Sequence, residues 1–334
     1  MPDSQLNGAE RRLQHSLRNA SIFNGLLMAC AVVAAYVAMR ELPQRPALPA
    51  TRTALTYRPV DVAPVPGSLR IFGAWELTTD DRRFGGLSSL ALDQGRFIAV
   101  SDRGAIARFD PPTNTVPNVD IADLRAGPGP WGRKWSRDAE SLAPDPEGRG
   151  WWIGYEQRHA LWLYEPGFDR VISSVDLNRD DWWENRGAEA LIADGDGLLA
   201  LGENGRDAMR VERSGIQRLP VKAGADVAEA ALAPDGSIWV LLRSKSWKGI
   251  DQRVAPWVRT ASGYEAGHGL PVPKGAFDNY EGMAIEPRPG GGWRFWLISD
   301  DGHRVMARTL LVALDYVPHA GHDKSPATGA GPSK

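Results

Sequence analysis

The chain has 334 residues, of which 43% are hydrophobic and 24% charged, and its formal net charge is −2. Because no basic excess is available to displace phosphate counterions, this balance argues against a nucleic-acid-binding protein. The single cysteine, Cys30, rules out an intrachain disulfide framework, and six histidines without paired ligand spacing argue against a zinc centre. The counts of 36 glycines, 25 prolines and 13 tryptophans favour many short strands joined by tight turns.

The first predicted element is an apolar helix over Ile22–Met39, which follows a short basic tail (1–21) and precedes Arg40. At a rise of about 1.5 Å per residue it would span roughly 27 Å, enough for a bilayer core. The apolar run continues beyond Cys30 and does not end at a small-x-small site, which favours an uncleaved, single-pass signal anchor. A cleaved signal peptide and a lipoprotein signal are the alternatives. We expect the rest of the chain in the periplasm, anchored to a bacterial inner membrane by this helix.

Residues 40–66 contain six prolines and are predicted to form an extended linker. Residues 67–317 then form the folded domain. The polar segment 318–334 is predicted to be a disordered tail.

Five segments of the folded part share one pattern, an apolar strand, a glycine-containing turn and a second apolar strand that ends in polar residues. Their aligned positions, spaced by 52, 49, 40 and 52 residues, are Ser88, Glu140, Glu189, Glu229 and Glu281. This spacing is the length of one four-stranded propeller blade. The sequence therefore predicts an all-β, β-propeller fold of five blades, with Ser68–Leu77 as the outer strand that completes the last blade. A sixth, degenerate blade and a β-sandwich are the alternatives.

Acidic residues stand at the start of the first strand and at the end of the second strand of most repeats. Both strand ends lie on the same face of a propeller, so these side chains should converge on one mouth of the central channel. So many carboxylates repel one another unless cations compensate them, and Ca²⁺ prefers such oxygen ligands. The predicted metal ligands are Asp102, Glu140, Glu156, Glu189, Glu203, Glu229, Glu281, Asp300 and Asp301. Alternatively, each acid bonds a backbone amide or an arginine of the next blade.

Basic side chains lie close to these acids and predict an anionic small-molecule substrate. The predicted substrate-binding residues are Arg103, Arg186, Arg206, Arg243 and Lys245. The last two occupy the position where the other repeats carry an acid. No G-x-S-x-G motif occurs, so hydrolysis would need a metal-activated water rather than a serine nucleophile. The candidate catalytic residues are Glu189, Glu281, Asp300 and His303.

Three stretches carry a resemblance to a known family: "GGLSSLALDQGRFIAVSDRG" (Gly85–Gly104), "AESLA", and "YEGMAIEP" followed by "FWLISDDG". They resemble the phytase-like β-propeller family described as "esterase-like activity of phytase", over about residues 68–316. The resemblance implies a secreted or membrane-tethered bacterial propeller that binds calcium and hydrolyses phosphate or carboxyl esters. We expect a monomer. A non-catalytic ligand-binding or scaffold propeller of the cell envelope and a calcium-dependent lactonase are the alternative functions. Ser88 and the basic strand end of the fourth repeat depart from a fully symmetric metal site.

Overall fold

The computed structural model of the chain describes residues 18–19, 21–34, 47–112, 116–129, 137–177, 187–247, 249–274, 278–303 and 307–317. It divides into two units, Met1–Pro46 and Ala47–Lys334. In the first unit, residues 21–34 are helical and their side chains are exposed. No helix among the described residues is long and apolar enough to cross a membrane. The predicted membrane-spanning helix Ile22–Met39 is thus not supported, and its residues 35–39 lie outside the described part.

The second unit consists of strands, which we number in chain order. The first seven are β1 (Thr51–Ala54), β2 (Thr56–Pro59), β3 (Leu69–Thr78), β4 (Leu87–Asp93), β5 (Arg96–Ser101), β6 (Ala105–Phe109) and β7 (Asn118–Asp123). The next eight are β8 (Ala139–Pro144), β9 (Trp151–Tyr155), β10 (Ala160–Tyr164), β11 (Val171–Asp176), β12 (Ala188–Asp194), β13 (Gly197–Gly202), β14 (Asp207–Glu212) and β15 (Gly215–Lys222). The last eight are β16 (Asp226–Leu232), β17 (Ile238–Ser246), β18 (Gly249–Arg259), β19 (Tyr264–Ala266), β20 (Leu270–Pro271), β21 (Tyr280–Pro287), β22 (Trp293–Ser299) and β23 (Leu310–Tyr316).

These strands form antiparallel meanders that follow the sequence repeats. Two sheets have the orders β1-β7-β6-β5-β4 and β11-β10-β9-β8, and a third has the order β2-β3-β23-β22-β21. The remaining sheet joins the meanders β12–β15 and β16–β19 through a parallel pairing of β15 with β19. The first strands of the meanders contact one another in the cyclic order β4, β8, β12, β16, β21 and back to β4. The all-β, propeller-like fold predicted from the repeats is therefore confirmed.

The hydrophobic core lies between neighbouring meanders. On β9, Trp151 and Ile153 pack with residues of β5 and β6, whereas Trp152 packs with residues of β12 and β13. Each sheet is thus covered by a neighbour on both faces, so its inner strands carry apolar residues at successive positions rather than in alternation. Five clusters of buried apolar side chains, one between each pair of neighbouring meanders, hold the first strands around a common axis.

The two ends of the folded part meet in one sheet. As predicted, a strand from the start of the domain completes the last meander, because β3 pairs with β23 from Leu69↔Tyr316 to Glu76↔Leu310. The sequence predicts an extended linker over residues 40–66, whereas the structure has two strands within it. Its residues 51–59 form β1 and β2, which add to the outer edges of two different sheets. Between them the side chain of Leu55 is buried.

Polar contacts fix this N-terminal segment to the domain. Thr51 Oγ1 donates a hydrogen bond of 2.5 Å to Asp81 Oδ2 and accepts one of 2.8 Å from Arg83 Nη2. The backbone N–H of Leu48 donates to Asp123 Oδ2 at 2.7 Å. Because Arg83 and Asp123 are both buried, these bonds are shielded from water and stronger than surface pairs. The predicted tail 318–334 and residues 40–46 lie outside the described part of the chain.

Candidate acidic site at the channel mouth

A β-bulge interrupts the start of each innermost strand. In β12, for example, Ala188 pairs with Gly202 and Ala190 with Leu201, so Glu189 has no residue opposite it. The residues passed over in the five inner strands are Ser88, Glu140, Glu189, Ala228 and Glu281. A bulge commonly re-aims a side chain next to a functional site. The repeat alignment was therefore correct in four repeats and wrong by one residue in the fourth, where Ala228 stands at the aligned position instead of Glu229.

Glu229 belongs to a buried contact between two inner strands. Its side chain is 1% exposed; Oε2 accepts a hydrogen bond from Ser89 Oγ on β4, and Oε1 accepts one of 2.9 Å from the N–H of Ala230. Burial raises the pKa of the Glu229 carboxyl well above its ordinary value, although these hydrogen bonds lower it. We therefore correct its assignment as a metal ligand at the mouth.

A glycine makes that contact possible. In the ring of inner strands, β21 lies between β16 and β4. A Cβ on Gly282 of β21 would lie 2.9 Å from the backbone nitrogen of Leu90, which donates a further hydrogen bond to Glu229. Any larger residue there would push β4 away from Glu229, because real Cβ atoms do not approach so closely.

The residues after the five second strands occupy equivalent positions. In four repeats the residue directly follows the last residue of the second strand (β5, β9, β13 or β22) that pairs with the first strand. In the fourth repeat the second strand, β17, continues through this position. The five residues are Asp102, Glu156, Glu203, Arg243 and Asp300. The structure thus places four of the predicted strand-end acids and Arg243 at equivalent positions, whereas Asp301 and Lys245 lie one and two residues further along the chain.

Asp138, Glu140 and Glu156 form the tightest group of acids. Each offers one carboxylate oxygen, and these oxygens lie within 4.8 Å of one another. Asp138 and Glu156 are buried, and Gln157 Nε2 donates to Asp138 Oδ2 at 2.9 Å. Within the part of the chain that the structure describes, this is the one group of three ligand atoms at such spacing. Three hard oxygen donors fit Ca²⁺ or Mg²⁺ rather than zinc, which prefers histidine and cysteine.

The pKa of Glu140 is the property of this group that a bound cation would change most directly. Burial raises its pKa well above the ordinary value, and the charges of Asp138, Glu189, Glu281 and Glu156 raise it further. A divalent cation would reverse that effect by favouring the ionised form. Asp138 was missed by the repeat comparison because it precedes the aligned glutamate by two residues, where the first and third repeats have Gly86 and Gly187. A search for acids flanking the repeat would have found it.

Arg243 neutralises the opposite side of the mouth. Its Nη2 donates to Glu203 Oε1 at 2.9 Å, and its Nη1 donates to Glu281 Oε1 at 2.5 Å. Although burial alone would lower the pKa of Arg243, the charges of Glu281, Glu189 and Glu203 raise it above its usual value. The arginine is 3% exposed, so the structure makes it a counter-ion of the acids rather than a surface contact for substrate.

Glu189 lies between these two sides. Burial and then the charge of Glu156 raise its pKa well above the ordinary value, and Arg243 lowers it. Its side chain is buried, with an exposed fraction of 8%. Glu189 is thus influenced by both the acidic group around Glu156 and the cation at Arg243.

Asp300 and Asp301 play different parts at the end of β22. Burial, followed by the charge of Glu281, raises the pKa of Asp300 to about 7. Asp301 instead accepts hydrogen bonds from the N–H of Gly86 at 2.9 Å, the N–H of His303 at 2.8 Å and Thr309 Oγ1 at 2.9 Å. These bonds give Asp301 a role in holding two loops together.

Asp102 and His303 are brought together over a glycine. His303 Nε2 lies 3.9 Å from Asp102 Oδ1. A Cβ on Gly86 would lie 2.3 Å from the same oxygen, and Gly86 has a φ of +58°. Glycine is required here both for its conformation and for the space it leaves.

The remaining basic candidates lie at the periphery. Arg103 and Arg206 are exposed. Lys245 Nζ is 3.7 Å from Glu203 Oε1, and its side chain is 56% exposed. Arg186 lies outside the described residues.

The model of the phytase-like family described as "Esterase-like activity of phytase" matches residues 82–303. No curated protein matches the chain. Among solved structures, glutaminyl cyclase of Myxococcus xanthus is similar with a TM-score of 0.50 and 17% identity, over 77% of this chain and 100% of that chain. The WD40 domain of Neurospora crassa Pan2 is similar with a TM-score of 0.40 and 10% identity, over 76% of this chain and 98% of that one. At such identity the likeness to glutaminyl cyclase shows the fold alone.

Proposed function

The chain belongs to the phytase-like family described as esterase-like activity of phytase, and from this membership we propose that it is a calcium-dependent hydrolase of phosphate or carboxyl esters. The observation that carries the proposal is the group Asp138, Glu140 and Glu156, whose oxygens lie within 4.8 Å of one another. When bound there, a divalent cation would polarise an ester oxygen and lower the pKa of a bound water.

The residues around the acidic group have distinct proposed roles. Asp138, Glu140 and Glu156 would hold the cation. Asp300, with a pKa of about 7, would exchange a proton near neutral pH, as general acid–base catalysis requires. Lys245 would attract the anionic substrate, because its ammonium group is largely exposed at the mouth.

The experiment is an assay of the purified full-length protein against phosphomonoesters, phytate and short-chain carboxyl esters, with added Ca²⁺ and with a chelator. We expect turnover that the chelator abolishes. Glu140→Gln should reduce it at least about tenfold, since the acidic group loses one charged ligand. Glu265→Gln is the matched control, because Glu265 is an exposed residue of β19. A protein with no chelator-sensitive turnover on any of these substrates would refute the proposal.

One observation favours a second candidate, a non-catalytic ligand-binding propeller. Arg243 already neutralises Glu203 and Glu281, so these two acids of the mouth have a counter-ion without a bound ligand. In that case Glu189→Gln and Glu281→Gln would leave the binding of envelope partners unchanged. Loss of hydrolysis with these variants would instead support the enzyme.

We also propose five blades, an attachment to the bacterial inner membrane with the propeller in the periplasm, and a monomeric state. The cyclic contacts among β4, β8, β12, β16 and β21 support the blade count. The apolar run Ile22–Met39 between basic flanks supports the attachment. Protease protection of spheroplasts tests the location: cleavage of the domain only after outer-membrane removal would support it, and full protection would refute it.

A further inference from the structure

The hairpin of β17 and β18 extends further at the mouth than the corresponding hairpins of the other meanders. In the other four meanders the pairing of the second and third strands ends at or before the residue that precedes the mouth acid, at Ser101↔Ala105, Tyr155↔Ala160, Leu201↔Ala208 and Ile298↔Leu311. The pairing of β17 with β18 instead continues past Arg243 to Ser246↔Gly249. We call the projecting residues 244–247 and 249–251 the mouth arm.

The ladder gives the arm a fixed form. At its outer end Ser246 pairs with Gly249, and Ser246 Oγ donates to the carbonyl oxygen of Gly249 at 3.2 Å. Gly249 has a φ of +113°, which only glycine adopts readily. At its base, Lys274 Nζ lies 2.7 Å from Asp251 Oδ1. Backbone pairing therefore fixes the arm up to Ser246 and Gly249.

The face of the arm that looks toward the mouth is identified by its contacts. Arg243 Nη2 and Lys245 Nζ lie 2.9 Å and 3.7 Å from the same atom, Glu203 Oε1. Lys245 therefore lies on the face of the arm that looks toward the mouth. Trp247 follows two residues later, just beyond the last pair Ser246↔Gly249, so Trp247 lies at the outer end of the arm. Its side chain is 91% exposed.

A large aromatic side chain exposed at this place has a chemical use. An indole ring stacks on other aromatic rings, and an ammonium group two residues below it attracts an anion. We propose that Trp247 and Lys245 form a specificity element that selects anionic substrates with an aromatic group. The anion lies at the mouth beside Lys245, and the aromatic group extends along the arm to the indole. This inference rests on the proposed function, since it names the substrate class of the same mouth.

The test compares two non-hydrolysable ligands, 2-naphthylmethylphosphonate and methylphosphonate, by isothermal titration calorimetry with the full-length protein in Ca²⁺. We expect the wild type to bind the naphthyl ligand more tightly. Trp247→Ala should weaken that ligand about three- to tenfold and leave methylphosphonate unchanged, because only one stacking contact is lost. Lys245→Met should weaken both ligands alike. Phe72→Ala is the matched control, since Phe72 is an exposed aromatic residue on the outer strand β3.

Several results would overturn the inference. They are a wild type that binds neither ligand or does not discriminate between them, a Trp247→Ala protein that discriminates as the wild type does, and an equal loss in Phe72→Ala. The failure of the proposed function is a different result. If the wild type hydrolyses no ester but shows the expected binding pattern, the specificity element stands and the hydrolase does not.

Discussion

Replacing Arg243 with methionine should destabilise the protein severely. Methionine keeps much of the side-chain volume but leaves the buried Glu203 and the half-buried Glu281 without their shared counter-ion. Breaking a buried ion pair by removing one partner costs about 3–5 kcal/mol. The two hydrogen bonds to carboxylates, each worth about 1.5–3 kcal/mol, lead to the same range. A domain is stable by only about 5–15 kcal/mol, so this loss is a large share of the total.

The measurement is urea unfolding followed by tryptophan fluorescence, in the presence of a chelator. Arg206→Met is the control, because Arg206 is exposed and its loss should change stability by less than about 0.5 kcal/mol. Arg243→Lys should give an intermediate loss, because an ammonium group keeps the charge but cannot bridge two carboxylates as a guanidinium does.

The pH dependence of Arg243→Met separates electrostatics from packing. Arg243 lowers the pKa of the buried Glu189, so without the arginine that pKa should rise further above its value in the unfolded chain. A carboxyl group of this kind favours folding at low pH and loses that contribution as the pH rises through its folded pKa. The deficit should therefore be smaller at about pH 5 than at about pH 8. A loss below about 1 kcal/mol, or one that does not change with pH, would refute the counter-ion role of Arg243.

Three further predictions concern the same face. In chelator, the thermal midpoint of the wild type should be lower at about pH 8 than at about pH 5, because burial raises the pKa of Asp300 to about 7 and the stability that its protonated form contributes is lost on ionisation. Added Ca²⁺ should restore the midpoint at pH 8. A midpoint that changes with neither pH nor Ca²⁺ would contradict the acidic site. The free energy of unfolding of Glu229→Gln in urea should lie within about 1 kcal/mol of the wild-type value at pH 5. At pH 8 it should exceed the wild-type value, since the variant has no buried charge to ionise. A variant less stable than the wild type at pH 8 would be evidence against this reasoning. Gly86→Ala should lower the thermal midpoint more than Gly95→Ala, because both glycines have positive φ but only at Gly86 would the Cβ meet a side chain, 2.3 Å from Asp102 Oδ1; equal losses would exclude a steric role at Asp102.

The repeat pattern predicted the fold because it is local. Each repeat carries its own apolar strands and glycine turn, so five copies in register specify the meanders and the polar ends of their second strands. The position of Glu203 or Asp300 follows from that pattern alone. The pairing of β1 and β2 with the outer edges of two sheets does not follow from the repeat pattern, and a proline-rich segment is typical of a linker. Proline is nevertheless tolerated at a sheet edge, where no N–H is needed, and Pro59 ends the edge strand β2.

The site depends on the pairing between strands, which an alignment of the repeats does not contain. "AEAL" at Ala188 and "AEAA" at Ala228 align without a gap, yet the bulge passes over Glu189 in one and Ala228 in the other. The partner strand decides this difference, and pairing is not visible in a single repeat. A shift of one residue moves a side chain to the other face, which explains why Glu229 contacts Ser89 and leaves the mouth.

The pairing of β3 with β23 has a consequence for how the protein is made. The ribosome releases β3 early, and its partner emerges near the end of the folded part, so β3 must wait without it. During that time Ile71 and Phe72 lie on an unpaired strand, the kind of surface from which aggregation starts. Because Leu69 faces Tyr316, a circularly permuted chain that begins at β4 could join β23 to β3 by a short turn. The pairing of β3 with β23 would then become a hairpin, and such a chain should fold faster. It would lack β1 and β2 and lose the stability that their pairing contributes.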